Sequence, residues 1–271
     1  MKKIISLLPI LFLIVLNSYS QKENAKSNLS VSFGPCVPVG AFANKDIYSS
    51  TSGVAKIGEA VNISYTYLVD KHFGIAASLL GQRNGINTKS FEDAFSIHKF
   101  YDGFYSGTLT DPPPNPTYSI YPNWHFDKKS WKSASLLVGG YCEFPLQPSG
   151  KISFTGKVMA GVVYAKSPGL YGSSVTDTAK ATITQSSNHA DGFEWLVSGG
   201  IKYNLTKKIS LLAGVDYAGT NDISFHNIKT TFFTIHNYST AMAYTSENFS
   251  EGSGKQNMST VHLNFGIGLA F

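Results

Sequence analysis

Segment after segment of this chain alternates apolar residues with small or polar ones, and the second face decides what the chain can fold into. Period two over four to eight residues or more marks a strand, and no segment carries a convincing helical stripe. In Gly58 to Tyr67, the side chains of Val61, Ile63, Tyr65 and Tyr67 share one face, with Gly58, Ala60, Asn62, Ser64 and Thr66 opposite. The same division runs through Phe73 to Gln82, Ile152 to Tyr164, Phe193 to Asn204, Ile209 to Tyr217 and Thr260 to Phe271. Two weaker segments, Asn28 to Phe42 and Trp131 to Leu146, bring the expected count to eight. A soluble sandwich or barrel buries its apolar face and turns a bulky, charged face to water. Here the second face is Gly, Ser, Ala, Thr and Asn, which suits a narrow interior, so the aliphatic face looks out into lipid. The expected fold is all-β: an eight-stranded antiparallel up-and-down transmembrane β-barrel.

Composition agrees once the alternation is understood. Only 14% of the residues are charged, against roughly 25% in soluble domains, yet the mean hydropathy is -0.05 because the two faces cancel. Two Cys exclude a disulfide scaffold, and Cys36 and Cys142, on non-neighbouring strands and opposite faces, are expected to stay free thiols. Lys and Arg are scattered, so the net charge of +5 is no nucleic-acid footprint.

The one apolar run near spanning length, Ile4 to Leu16, follows Lys2-Lys3 and precedes Asn17-Ser18-Tyr19-Ser20. That is the pattern of a cleavable signal peptide, residues 1–20, leaving a periplasmic tail at 21–27 and a barrel at 28–271. Connections test the barrel independently. Short turns at 69–71, 147–150 and 206–208 alternate strictly with long connections at 43–54, 85–130, 166–190 and 222–255, as expected for short periplasmic turns and long extracellular loops. Tyr65, Tyr67, Phe73, Phe144, Phe154, Tyr203 and Phe271 gather at the short-turn ends, and Tyr164, Phe193, Trp195 and Tyr217 at the long-loop ends, like two interfacial girdles. Pro35 and Pro38 lack an N–H, so the first strand is expected to bulge or lose pairing near Pro35.

With these features the chain resembles the small eight-stranded outer-membrane barrels typified by OmpA and OmpX, and more closely the porin-family outer membrane β-barrel domains common in Bacteroidota. The likeness rests on the leader, on Gly-Pro-Cys-Val-Pro-Val-Gly-Ala-Phe at Gly34 to Phe42, and on Leu263-Asn264-Phe265-Gly266-Ile267-Gly268-Leu269-Ala270-Phe271. It implies location in the bacterial outer membrane and recognition of the last strand by the barrel-assembly machinery. It also implies contact with outer-membrane lipid including lipopolysaccharide. OmpA's peptidoglycan-binding domain has no counterpart after Phe271, so that activity is not expected.

A charge facing lipid at mid-bilayer costs about 2–4 kcal/mol, so Glu143, Lys157, Glu194, Lys202, Asp216 and His262 should face the lumen as a polar network. Lys157 lies at the height of Asp216, and Glu143 at that of Lys202, and the two pairs are expected to plug the interior. Glu59 is turned outward by the same alternation. No catalytic, cofactor-binding or metal-binding set is evident, and the barrel is read as a non-enzymatic monomer. Its role would be structural, in surface recognition, or accessory to an envelope complex. A barrel-embedded enzyme acting on a lipid or envelope substrate, a small-solute pore, and a secreted lipocalin-like barrel are the alternatives. In the 85–130 loop, Tyr101, Phe104, Tyr105, Tyr118, Tyr121 and Trp124 form either a recognition surface for a glycan or protein or the packing of hairpins that extend the barrel.

Overall fold

The structure, a computed structural model, describes residues 26–97, 99–102, 117–177, 179–237 and 243–271, so the leader and most of the 98–116 stretch lie outside the described residues. Eight strands close into one barrel: β1 (Ser27–Val39), β2 (Gly58–Leu68), β3 (Phe73–Gly85), β7 (Ser130–Pro145), β8 (Ile152–Lys166), β11 (His189–Asn204), β12 (Ile209–Thr220) and β15 (Ser259–Ala270). Every neighbouring pair is antiparallel, and β1 closes against β15. The remaining strands belong to the long connections: β4 (Lys99–Asp102), β5 (Thr117–Ile120), β6 (His125–Phe126), β9 (Leu170–Val175), β10 (Ala179–Gln185), β13 (Ile223–Asn237) and β14 (Ala243–Gln256).

Register fixes the size of the barrel. One row of paired residues runs Leu68, Gly74, Tyr141, Lys157, Ser198, Asp216, His262, Cys36 and back to β2 at Gly58, ten residues from where it began. With strands about 4.8 Å apart and a rise of about 3.3 Å per residue, that offset tilts the strands by about 41° and gives a backbone radius of about 8 Å. Side chains can fill such an interior. Inward positions carry Ser, Thr, Asn, Ala and Leu, while the outward ones form a continuous apolar band in which Phe33 is 67% and Val158 66% exposed. A water-soluble protein does not show so large an apolar surface, whereas lipid welcomes it. The expected girdles stand on this face, with Phe73 edge-on to Phe144 at 5.6 Å at one end and Trp195 against Tyr217 at 5.2 Å at the other.

As Pro35 leads one to expect, β1 loses its pairing to β15 there: the ladder lapses at Gly34 and Pro35 and resumes at Cys36 in the same register, with no residue bulged out. A Cβ on Gly34 would sit 1.7 Å from the Leu263 carbonyl oxygen, so the backbones approach where Pro35 has no N–H to donate. The first strand also ends at Val39 rather than Phe42. Gly40 adopts φ +59, and a short 3-10 turn at Gly40–Ala43 carries Phe42 into the interior, against Trp131 at 5.8 Å. Among the described residues there is also one α-helix, α1 (Thr88–Ile97), whose Phe91 and Phe95 lie four residues apart and pack on Phe126.

Candidate functional site

Two places gather chemistry, the lumen and the cap that the long connections build over one end of it. At the short-turn end of the lumen, Lys202 Nζ donates to both Glu143 carboxylate oxygens at 3.1 and 3.0 Å, and Tyr141 donates its hydroxyl to Glu143 Oε2 at 2.6 Å. This is the one buried ion pair among the described residues. The expected Lys157–Asp216 pair does not form within ion-pair distance. Both residues flank Ser198 on one row, two strands or about 10 Å apart. Lys157 Nζ reaches across to donate to Ser64 Oγ at 3.0 Å, and Asp216 accepts from Asn264 Nδ2 at 2.5 Å.

Toward the long-loop end lies a second polar group. Glu194, 0% exposed, accepts from the Ser135 hydroxyl and from Gln82 Nε2 at 3.2 Å. Gln82 Oε1 also lies 3.0 Å from Thr260 Oγ1, 3.1 Å from His262 Nε2 and 3.2 Å from the Cys36 thiol. His262 is 0% exposed and its Nδ1 has no hydrogen-bond partner among the described residues. Gln82 is therefore the hub that joins four strands, and because it carries no charge its place in a polar-faced strand does not mark it out in the sequence.

Between the two polar groups sits an apolar layer of Leu80, Leu137, Leu196 and Met159, packed with Ala60, Ala76 and Ala218. Its signal in the sequence is a break in alternation: Leu79-Leu80, Leu136-Leu137 and Trp195-Leu196-Val197 put apolar side chains on both faces at once. The six charged or titratable residues expected in the lumen all face it, but as separate polar clusters around an apolar layer.

Above the barrel, β14, β13, β10, β9 and β6 form a five-stranded sheet, so the hairpins of the third and fourth long connections pair with each other through β10 and β13. Beneath it lies a core of Tyr121, Trp124, Phe126, Phe225, Ile223 and Leu170, which runs down to Trp131 and Val163 at the barrel mouth. Tyr121 is 2% and Trp124 4% exposed, so these two side chains are packing, not recognition surface. Tyr101 and Tyr118 lie on β4 and β5, which pair with each other, and their side chains are outside the described residues, as are Phe104 and Tyr105 altogether. Trp131 donates its indole N–H to the Gly53 carbonyl at 2.8 Å, tying the first long connection to the mouth. A cavity of 230 Å³ opens between these parts, lined by Trp131, Phe225, Ile86, Gln256 and backbone at Gly53 and Gly169.

Among the described residues no histidine assembles a hydrolytic pair. His262 is sealed in, His189 stacks on Tyr164 at 5.3 Å, and His125 stands 3.8 Å from Glu92 on the cap, beyond hydrogen-bond reach. Among the described residues no three His, Cys, Asp or Glu side chains converge as a metal site would require. Cys36 and Cys142 are free.

Residues 9–236 match the family model described as "Outer membrane protein beta-barrel domain". No curated protein matches the sequence. Among solved structures the chain is similar to Ail, the attachment invasion locus protein of Yersinia pestis, at 13% identity, covering 92% of this chain and 100% of that one with a TM-score of 0.39. It is also similar to Neisserial surface protein A, at 10% identity over 92% and 100% with a TM-score of 0.43. OprG from Pseudomonas aeruginosa matches at 11% identity over 92% and 97%, with a TM-score of 0.37.

Proposed function

Because the chain belongs to the family of outer membrane protein beta-barrel domains, we propose that it is a sealed, non-enzymatic barrel of the bacterial outer membrane whose work is done on its outer surface. The short turns face the periplasm, and the capped end faces outward. The observation that carries this reading is the filled lumen. Leu80, Leu137, Leu196 and Met159 close its middle, the Glu143–Lys202 pair closes the periplasmic end, and the cap core closes the mouth. A radius of about 8 Å leaves no continuous water path once inward side chains of that size are in place.

The same packing argues against lumenal catalysis, since a substrate has no route to Glu194 or His262. The role left for the molecule is structural or interactive: membrane integrity, or contact with lipid, a glycan or a protein through the rigid cap and the outer wall. Refolded protein in planar bilayers should pass no steady ionic current above the bare-membrane level. Stable single-channel steps would replace this reading with that of a small-solute pore.

A further inference from the structure

All four long connections meet at the 230 Å³ cavity in the cap. Ser50 and Val54 come from the first, Phe91 from the second, Gln185 from the third, and Phe225 and Gln256 from the fourth, with Trp131 at the barrel mouth. Its walls are fixed. The Trp131 indole is held on the Gly53 carbonyl, and Gln256 Nε2 donates to the carbonyls of Thr51 and Asn257 at 3.1 and 2.8 Å, joining the fourth connection to the first. Val54 sits at φ +48, a left-handed backbone that a β-branched residue takes only where its surroundings enforce it. They do so here: its N–H donates to the Asn44 carbonyl at 3.0 Å, and its carbonyl accepts the Asn87 N–H at 2.8 Å. A strained wall around a pre-formed cavity at a barrel mouth is the mark of a binding site.

The lining selects the ligand's chemistry. It holds no Asp, Glu, Arg or His, and its one charged residue, Lys255, alternates with the buried Gln256 and so stands exposed on the outward face of β14. An ion would go unpaired inside, so the ligand is neutral. It is not purely apolar either. With both Gln256 amide N–H groups committed, Gln256 Oε1 is left as an open acceptor, and the Gln185 amide makes no hydrogen bond among the described residues. Ser186 Oγ accepts the Lys229 N–H at 3.0 Å and keeps its own hydrogen to donate. Gln185 and Gln256 lie on β10 and β14 with β13 between them, so these groups address the ligand from two sides. Phe91 is half-buried and Trp131 is 8% exposed, which leaves aromatic surface for a ligand's C–H groups. The volume of 230 Å³ is the space of about eight waters, enough for one ring compound of about a dozen heavy atoms. A neutral ring with hydrogen-bonding groups around its edge and an apolar C–H face is a pyranose. We propose that the cap cavity binds one neutral hexopyranose residue, with the amides of Gln185 and Gln256 on its hydroxyls and Phe91 and Trp131 on its C–H face. This deepens the reading of the cap as a working outer surface and rests on it.

The test uses the full chain refolded in amine-oxide micelles, which carry no sugar, with heat-modifiable mobility as the check on folding. Saturation-transfer NMR titrations compare methyl glucoside, methyl galactoside, methyl mannoside and N-acetylglucosamine with cyclohexanol, benzoate and adenine. At least one of the sugars should bind with a Kd of about 1 mM, and the other three compounds roughly tenfold more weakly or less. Gln185→Leu, which keeps the volume and removes the amide, should weaken the sugar about tenfold. Gly254→Leu fills the cavity, since a Cβ there meets only the end of the Ile228 side chain at 3.3 Å, and should abolish binding. Gln185→Leu keeps the test open if Gly254→Leu does not fold. A trisaccharide of the bound sugar that binds as tightly as the single residue identifies a glycan end as the source, whereas its exclusion identifies a free sugar. Binding of none of the four sugars, equal binding of cyclohexanol, benzoate or adenine, or full sugar binding by folded Gly254→Leu protein overturns the inference. The sealed-barrel reading stands through any of those results, because current across planar bilayers tests it separately.

Discussion

At the scale of single residues, the tight turn between β2 and β3 shows how much one side chain can organise. Asp70 Oδ1 accepts the backbone N–H groups of His72 and Phe73, both at 2.7 Å, while the N–H groups of Val69 and Asp70 donate to the Phe73 carbonyl. Those two donors, His72 first, hold the Asp70 carboxyl below its ordinary value of 3.8. The ionised form is therefore favoured by folding. Its contribution is fully present above the unfolded value and disappears as pH falls through the lower folded value. Asp70→Asn keeps an acceptor but removes the charge, so the variant should unfold at lower denaturant than the wild type at neutral pH. That difference should shrink to nothing as the medium is taken well below pH 3.8. A gap between the two midpoints that stays constant across the acid range would contradict this assignment.

Among the elements, the barrel strands were legible because each pairs a lipid face with a lumen face, and that demand writes period two into the sequence. The cap was less so. The buried face of β9 is Leu170, Gly172 and Ser174 and that of β10 includes Ala181, residues mostly too small to write an apolar alternation, and helix α1 is only ten residues long, so the Phe91 and Phe95 spacing is the whole of its signal. The end of β1 is not legible in the sequence because Phe42 continues the alternation, while Gly40, two residues before it, takes the left-handed backbone that ends the strand. In the cap core, Trp124 stacks on Phe126 at 5.7 Å and meets Phe95 edge-on at 5.5 Å, joining α1 to β6. Since the cap sheet and the barrel are separate hydrogen-bonded systems, damage to one need not unfold the other. Trp124→Ala should remove about 3–5 kcal/mol from the cap and leave the barrel closed. Limited proteolysis should then cut within 85–130 at a much greater rate, while heat-modifiable mobility is retained. Loss of that mobility would mean that the cap and the barrel fold as one unit.

For the whole molecule, the question is which of the lumen's closures excludes water. The sequence pointed to its charges, because a charge in a membrane strand is conspicuous. The apolar layer was hidden in doublets such as Leu136-Leu137 that look like ordinary hydrophobic strand. Physically the two seals differ. A buried ion pair replaced by neutral side chains of similar volume often costs little, and the space stays filled. Truncating Leu80, Leu137 and Leu196, by contrast, removes volume from one layer that lies between two polar groups, each able to hold water. The double change Glu143→Gln with Lys202→Met should therefore leave the barrel non-conducting, whereas the triple change of the three leucines to Ala should produce small, resolvable conductance steps. Each Leu→Ala costs about 2–5 kcal/mol, so the folded fraction must be confirmed by heat-modifiable mobility before recording. Current through the double variant with none through the triple one would place the seal at the ion pair, where the charges alone had suggested it.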